Sequence, residues 1–516
     1  MRAAPFTSPL EASIYVEGLR ARPAFLLGGL LFAHAAIWTL VAWLANPTPD
    51  PEISIGLALG REWQLGYVET PPLAPWILEI AFRAGGLLAV YSLGPLCVAL
   101  AGWLVYVFAR RIAGDRHGAL AVFLMVGVHP VAFPIGAFDS DLVQMPLIAL
   151  AVLAWWHTVV ERNRFAWLWL GVILGLLAYA GVQALFVFAA LLLLTAATRI
   201  GRASLSVNQD QIFAVSGLLI FTLFLTPRMI WLQNHNFAGA VQNFNLPAID
   251  SGRADALAVG ASVILGHIGL FLLVALASRF FAKDKEIAPV FMRPAIVPFG
   301  KLAAIVIALM PPLLALATAL FLGGRYPAVA AAPLVLYSGL LVVVLSGDAL
   351  RVHRQRTVAV AGLTLLFLPP VLELATAYAT PFFGSTGRAS NWPAREAARY
   401  VTDVYRTRTG RPLEYIVGDD VTASAMALSS RDRPRIFIDA DPARSPWADR
   451  AAVEAAGAVV VWRIRGANTA PPPTLAANLP PLVAESPLTL RWVRPGNLDF
   501  VRLGWAIVPP AKPAPQ

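Results

Sequence analysis

The chain has 516 residues, of which 58% are hydrophobic and only 14% charged, and its mean hydropathy is +0.66. Soluble domains carry about 25% charged residues, so this composition excludes a soluble globular protein and indicates a membrane protein. The net charge of +10 comes largely from arginines dispersed between apolar runs, which is typical of membrane topology rather than of nucleic-acid binding. We therefore expect membrane lipid as a partner and no nucleic acid.

Apolar runs of about 20 residues recur along the first 380 residues and predict an all-α polytopic membrane bundle. The first run is longer than the core of a signal peptide and is interpreted as a retained anchor. The single cysteine, Cys97, excludes an intramolecular disulfide and a cysteine-based metal cluster. In total we predict about eleven transmembrane helices, at residues 24–45, 86–108, 119–137, 142–160, 166–180, 182–198, 212–231, 257–278, 301–322, 328–346 and 357–380.

The loops between these runs alternate in charge. Every second loop is rich in arginine or lysine, and the remaining loops contain few basic residues. The positive-inside rule then places the N-terminus in the cytoplasm and the poorly basic loops outside, and the odd number of spans places the C-terminus outside as well. We expect a multi-pass protein of the bacterial inner membrane with a periplasmic C-terminal part.

The composition changes at about residue 382, where charged residues and turns return. Short apolar runs at Tyr415–Val417, Arg435–Ile438 and Ala458–Trp462 predict strands, and helix-compatible stretches at Ala394–Tyr405 and Trp447–Ala456 alternate with them. We predict a transmembrane domain over residues 1–381 and a soluble α/β domain over residues 382–516, with a disordered tip in "PPAKPAPQ".

The first outer loop concentrates charged and aromatic side chains at the membrane surface. Residues 52–65 predict an amphipathic helix along the interface, with Ile53 and Leu57 on its apolar side. The alternative is that the acidic residues are solvated loop charges and the aromatic residues are interfacial anchors. The side chains of interest are Asp50, Glu52, Arg61, Glu62, Trp63, Tyr67, Glu69 and Trp76.

The second outer loop contains Asp139 and Asp141 at the end of a span, where charge is costly unless it is paired or functional. Acidic side chains from two loops could act as a general base on an acceptor or could coordinate a divalent cation that grips a phosphate. Alternatively, Asp139 caps the following helix. No metal or other cofactor is certain from the sequence, and a divalent cation remains open.

Arginines in two further outer loops oppose the usual topological bias. The third loop supplies Arg228 and His235, and the fourth supplies Arg325 and Tyr326 in "GGRYP". Guanidinium groups match phosphate oxygens in geometry and charge, which predicts pairing with a lipid-linked phosphate or with the acidic loops. The alternatives are contact with ordinary anionic headgroups and, for His235, a hydrogen-bonded surface histidine.

These segments together resemble the dolichyl-phosphate-mannose protein mannosyltransferase and aminoarabinose transferase superfamily of bacterial membrane glycosyltransferases, which has the GT-C fold. "GYVETPPLAPW" is similar to that family's "GYxDHPPL" segment, with Glu69 and Thr70 where the family usually shows Asp and His. "FDSDLVQMPL", "TPRMIWLQNHNF" and "GGRYPAVAAAPLVL" are similar to three further family segments, and the resemblance covers roughly residues 25–340.

The resemblance implies an enzyme that moves a sugar from a polyprenyl-phosphate carrier to a lipid or protein acceptor on the periplasmic side, as in glycolipid modification. The family's catalytic aspartate falls on Glu52, and its companion glutamate falls on Ile53, which departs from the pattern. Glu52 then serves as the base, or a small gap makes Asp50 the base, or this chain is an inactive scaffold. The family's "KY" lysine is absent, since "AYAGV" stands there. The runner-up function is a transporter or flippase of a lipid-linked substrate, which predicts broken helices near mid-bilayer.

Overall fold

The structure is a computed structural model, and it describes residues 22–68, 70–132, 138–237, 249–278, 290–322, 332–384, 387–464, 466, 469–479 and 481–511. Its first 384 residues are mainly helical. The helices are α1 (Pro23–Ala45), α2 (Pro51–Gly60), α3 (Leu73–Ala113), α4 (Asp115–Met125), α5 (His129–Ala132), α6 (Ser140–Val159), α7 (Ala166–Ala180), α8 (Ala184–Ala197), α9 (Arg199–Ala203), α10 (Asn208–Asn234), α11 (Ile249–Gly266), α12 (Ile268–Ala277), α13 (Pro298–Leu322), α14 (Ser338–Leu345) and α15 (Gln355–Phe383). Two short strands, β1 (Val290–Met292) and β2 (Ala349–Arg351), pair antiparallel.

The apolar helices confirm a polytopic membrane bundle. Within the described residues, six helices are long and apolar enough to cross a membrane, and the bent pair α11–α12 raises the number to seven. Shorter apolar helices lie at Ala166–Ala180, Ala184–Ala197 and Pro333–Leu345. The count of eleven spans stays a prediction.

Two predicted spans are interrupted, which corrects the boundaries given above. The helix predicted over residues 119–137 ends at Met125, and the one predicted over 257–278 bends by 45° at His267. The two breaks meet, because the Leu270 amide donates a hydrogen bond of 2.8 Å to the carbonyl of Gly127. A Cβ on Gly127 would lie 2.3 Å from the Leu270 nitrogen, so this backbone contact requires glycine.

The tail forms a five-stranded sheet in the order β4-β3-β5-β7-β6. The strands β3 (Tyr415–Gly418), β4 (Arg435–Ile438) and β5 (Ala458–Arg463) are parallel and confirm the predicted α/β architecture, whereas β6 (Leu488–Leu490) and β7 (Val501–Val508) add antiparallel pairs. The tail helices are α16 (Ala394–Thr409), α17 (Asp420–Ser429), α18 (Arg450–Ala456) and α19 (Pro473–Asn478). The division of the chain after residue 381 stays a prediction.

Helix α2 lies between the membrane bundle and the tail. Ile53 and Leu57 are fully buried in the core of the bundle rather than at the lipid interface, while Leu59 is fully buried in a core built mainly from the tail. The helix ends at Gly60 rather than near residue 65. It is therefore packed on both sides instead of resting on lipid alone.

Candidate functional site

The first two loops that the sequence predicts to lie outside bring their carboxylates together in one cluster, the acidic lip, made of Asp50, Glu52, Asp139 and Asp141. Asp50 immediately precedes α2, whose first residue is Pro51, and Glu52 lies in its first turn, where a negative charge is favoured. Burial, followed by the charges of Asp139 and Asp50, raises the pKa of Glu52 to about 7. The Glu52 side chain is nevertheless exposed. The acidic lip therefore desolvates the carboxyl group only in part and leaves it accessible to a substrate.

The second loop is fixed by hydrogen bonds. The Asp139 carboxylate accepts from the Leu142 amide at 2.9 Å and caps α6, which confirms the capping interpretation without removing its charge from the lip. Burial raises the pKa of Asp139. Asp141 is buried and accepts from Gln183 Nε2 at 2.9 Å, and Gln183 in turn accepts from Gln144 Nε2 at the same distance. The loop carboxylates therefore have defined positions.

The segment "GYVETPPLAPW" reaches the same lip. Thr70 Oγ1 lies 3.0 Å from Ser140 Oγ, one residue from Asp139. Glu69, Arg325 and Tyr326, all predicted site residues, lie outside the described residues.

Two residues that the sequence analysis did not single out adjoin Asp50. Arg388 forms an ion pair with Glu373, and the charges of both act on Asp50, whose pKa burial raises. The available signal was Glu373 itself, an acidic residue inside the apolar run 357–380, where a charge is expected to be paired or functional. Among the described residues, no group of three or more His, Cys, Asp or Glu side chains is arranged to hold a metal ion.

Arg228 is buried beside the same loop with little to neutralise it. Its Nη1 donates to the carbonyl of Leu65 at 2.6 Å, and its guanidinium lies 5.4 Å from the centre of the Trp231 ring. No carboxylate of the described residues lies within ion-pair distance of it. Gly66 makes this packing feasible, since a Cβ there would lie 1.9 Å from Arg228 Nη1. A guanidinium in such surroundings favours an anionic ligand.

The other predicted site residues have structural contacts. Tyr67 is buried, its hydroxyl donates to the Leu59 carbonyl at 2.7 Å, and its ring meets Trp447 of the tail. Arg61 follows the end of α2 and lies under the electrostatic influence of Arg433 and Arg435 of the tail. The His235 ring stacks on the Trp231 ring with centroids 4.1 Å apart, and its Nδ1 lies 2.8 Å from the Trp231 carbonyl.

The acidic lip and the basic loops lie at opposite ends of the same helix. Helix α6 begins at Ser140, which Asp139 precedes as the cap, and it ends near Glu161, which pairs with Arg111 at the end of α3. Its 20 residues span about 30 Å, the thickness of a hydrocarbon core. The fold and the acidic lip thus define a polytopic membrane protein with a cluster of carboxylates at one end of its helix bundle.

Comparison with known proteins agrees with this class. Residues 69–231 match the profile of the dolichyl-phosphate-mannose-protein mannosyltransferase family. The chain is 28% identical over 178 residues to the lipid A galacturonosyltransferase RgtD of Rhizobium johnstonii, an alignment that covers 33% of this chain and 36% of that relative. The chain thus spans about a third of the length of the curated relative that it matches.

The fold is similar to the crystal structure of ArnT from Cupriavidus metallidurans bound to undecaprenyl phosphate, with a TM-score of 0.57 and 12% identity over 94% of this chain and 98% of that chain. At this identity the similarity establishes the fold alone. The predicted resemblance is confirmed as a similarity: residues 69–231 match the mannosyltransferase family, and the chain shares the fold of ArnT.

Proposed function

We propose that this protein transfers a sugar from a polyprenyl-phosphate donor to an envelope acceptor, lipid A or a similar glycolipid rather than a protein, at the periplasmic face of the inner membrane. The mannosyltransferase segment at residues 69–231 and the relative named as a lipid A galacturonosyltransferase support the reaction class. The ArnT structure bound to undecaprenyl phosphate supports a polyprenyl carrier. The separation of the acidic lip from the basic loops, combined with the positive-inside rule, supports the orientation.

The observation that carries the proposal is the environment of Glu52. A general base works best when its pKa lies near the operating pH, and the pKa of Glu52 is raised to about 7. Its carboxylate, exposed at the lip, accepts the proton of an acceptor hydroxyl. The acceptor oxygen forms a bond to the anomeric carbon, and the bond from that carbon to the phosphate oxygen breaks with its electron pair remaining on the lipid phosphate. Attack opposite the leaving group inverts the anomeric centre.

Arg228 is the residue that we assign to the leaving phosphate. It is buried beside the loop that carries the site, and a fixed guanidinium stabilises developing phosphate charge without reorganisation of solvent. Burial, together with the charges of Asp139 and Asp50, keeps the pKa of Glu52 high, and a hydrogen bond between Asp141 and Gln183 fixes the second loop.

The test uses purified protein in proteoliposomes with radiolabelled polyprenyl-phosphate sugars and lipid A as acceptor. The Glu52→Gln variant should lose at least about a hundredfold in transfer rate, the lower range for general base catalysis. Glu161→Gln is the matched control, since it makes the same change at the opposite end of the bundle. Full transfer by Glu52→Gln would eliminate Glu52 as the base.

One observation favours a second function, export of a lipid-linked substrate. The breaks after Met125 and at His267 meet inside the bundle, and discontinuous helices are typical of transporters. Movement of a labelled carrier lipid between leaflets, without sugar transfer to any acceptor, would support this function over the glycosyltransferase.

A further inference from the structure

The joint between the first outer loop and the tail contains more arginines than carboxylates. We call this cluster the arginine joint, and it consists of Arg61, Arg83, Arg433 and Arg435 with Glu62 and Glu79. Arg61 and Arg83 come from the membrane half of the chain, whereas Arg433 and Arg435 precede and begin β4 of the tail. Four guanidinium groups thus face two carboxylates.

Both carboxylates already form ion pairs with arginines of the joint. The Glu79 side chain is completely buried and accepts from Arg83 Nε at 2.7 Å and from Arg433 Nη1 at 3.2 Å. Glu62 accepts from Arg435 Nε at 3.0 Å. The arginines remain partly accessible, since the Arg83 side chain is 59% exposed and that of Arg433 is 27% exposed.

Arg61 provides the excess charge. Its Nη1 is buried and has no hydrogen-bond acceptor among the described residues. Burial lowers the pKa of Arg61, and the charges of Arg433 and Arg435 lower it further, against the opposing effect of Glu62 and Glu79. A buried donor without an acceptor is costly, and an anion would relieve both the missing hydrogen bond and the repulsion.

The arginine joint lies beside the break in α3 that precedes its apolar span. Arg83 lies two residues before the break at Gly85 and Gly86, after which α3 continues as an apolar span. Trp63 is 44% exposed and its ring centre lies 5.8 Å from the Arg83 guanidinium, and Ile80, three residues before Arg83 in α3, is 56% exposed. Exposed Trp and apolar side chains next to arginine are typical of the headgroup level of a membrane.

We propose that the arginine joint binds the phosphate group of a lipid headgroup, and that its occupant in the reaction is a phosphorylated acceptor glycolipid. This identification of the occupant rests on the function proposed above. Planar guanidinium groups bind phosphate oxygens in pairs, and Arg61 has a buried N–H group free to do so. Arg61 follows Glu52 by nine residues along α2, about 14 Å along the helix axis. The acceptor therefore carries its phosphate several ångströms away from the hydroxyl that reacts.

The test measures binding without any sugar donor. Full-length protein in detergent is titrated calorimetrically with dioctanoyl phosphatidic acid, which carries a phosphate monoester, and with dioctanoyl phosphatidylcholine. The wild-type protein should bind phosphatidic acid more tightly than phosphatidylcholine. Arg61→Gln/Arg83→Gln should weaken that binding at least about tenfold, because two charge-assisted hydrogen-bond donors are lost.

Arg399→Gln is the matched control, because this arginine of the tail is 85% exposed and lies outside the joint. The Arg83→Gln single variant leaves Glu79 paired with Arg433, and its melting temperature reports whether the fold is kept. Equal binding by wild type and the double variant would overturn the proposal, as would an equal loss in Arg399→Gln. Competition by inorganic phosphate at the same concentration as the lipid would overturn the assignment to a lipid headgroup.

The transfer assay separates this inference from the function on which it rests. If the double variant raises the KM for lipid A but not for the polyprenyl donor, the occupant is the acceptor. Unchanged KM values with weakened phosphatidic acid binding would identify an ordinary phospholipid and overturn the acceptor assignment. Full transfer by the Glu52→Gln variant would refute the proposed chemistry but would leave the result for phosphatidic acid binding unchanged.

Discussion

Replacing Asp139 by Asn should shift the pH dependence of transfer to lower pH. Burial and the charges of Asp139 and Asp50 raise the pKa of Glu52 from 4.5 to about 7, and the base is active only as the carboxylate. Wild-type kcat/KM should therefore rise with pH through about 7 and level off above it. Asn removes the Asp139 charge but can still cap α6 through its side-chain oxygen.

The size of the effect follows from the ionised fraction. At pH 6, a group with a pKa of about 7 is ionised in about one molecule in eleven. If the substitution lowers the pKa by about one unit, half of the molecules are ionised at pH 6, and relative activity there rises about fivefold. The midpoint should remain above 4.5, because burial, the largest cause of the shift, is unchanged.

The assay is initial-rate transfer between pH 5 and pH 9 in proteoliposomes, normalised to the plateau of each variant. Glu161→Gln, at the far end of α6, should reproduce the wild-type profile. A profile of Asp139→Asn that coincides with that of wild type would refute the electrostatic coupling between the two loops.

Three further substitutions test the surroundings of the site. Gly66→Ala places a methyl group 1.9 Å from Arg228 Nη1 and 2.3 Å from the Trp231 ring, so transfer should fall at least about tenfold and the melting temperature should also fall; normal activity would contradict the tight packing. Tyr67→Phe removes the hydrogen bond to the Leu59 carbonyl and should destabilise the fold by about 1 kcal/mol, measured as a lower melting temperature. Glu79→Gln leaves Arg433 beside a neutral amide and should cost about 3 kcal/mol, detected as faster proteolysis of the tail, and protection equal to wild type would show that the buried ion pair is dispensable.

The sequence predicted elements well where a single pattern dominates. The uniformly apolar run at Ala166–Ala180 has the predicted bounds, and the β-branched run at Ala458–Arg463 forms the predicted strand. The end of α4 at Met125 was missed because hydropathy continues through Gly127, and only the contact with Leu270 on another helix reveals the break.

The candidate site was only partly predictable for a similar reason. Glu52 and Asp139 could be chosen from the loop motifs, and the structure brings their charges together. Arg61 was among the side chains singled out in the first loop, but two of its charged neighbours are arginines more than 370 positions later in the chain. Local sequence carries no information about such a contact, since it depends on how the tail docks.

Ile53 and Leu57 of α2 are buried in the bundle, and Leu59 is buried against the tail. The helix that carries Glu52, the proposed base, is therefore packed into two different hydrophobic cores. A protein shortened after Phe383 should still insert into the bilayer. Its helix α2 would lose the packing of Leu59 against the tail, and the Glu52 carboxyl would no longer be held in position. The tail would then be needed to assemble the catalytic site, and a tail exchanged between relatives should restore turnover only if it carries a surface that fits α2.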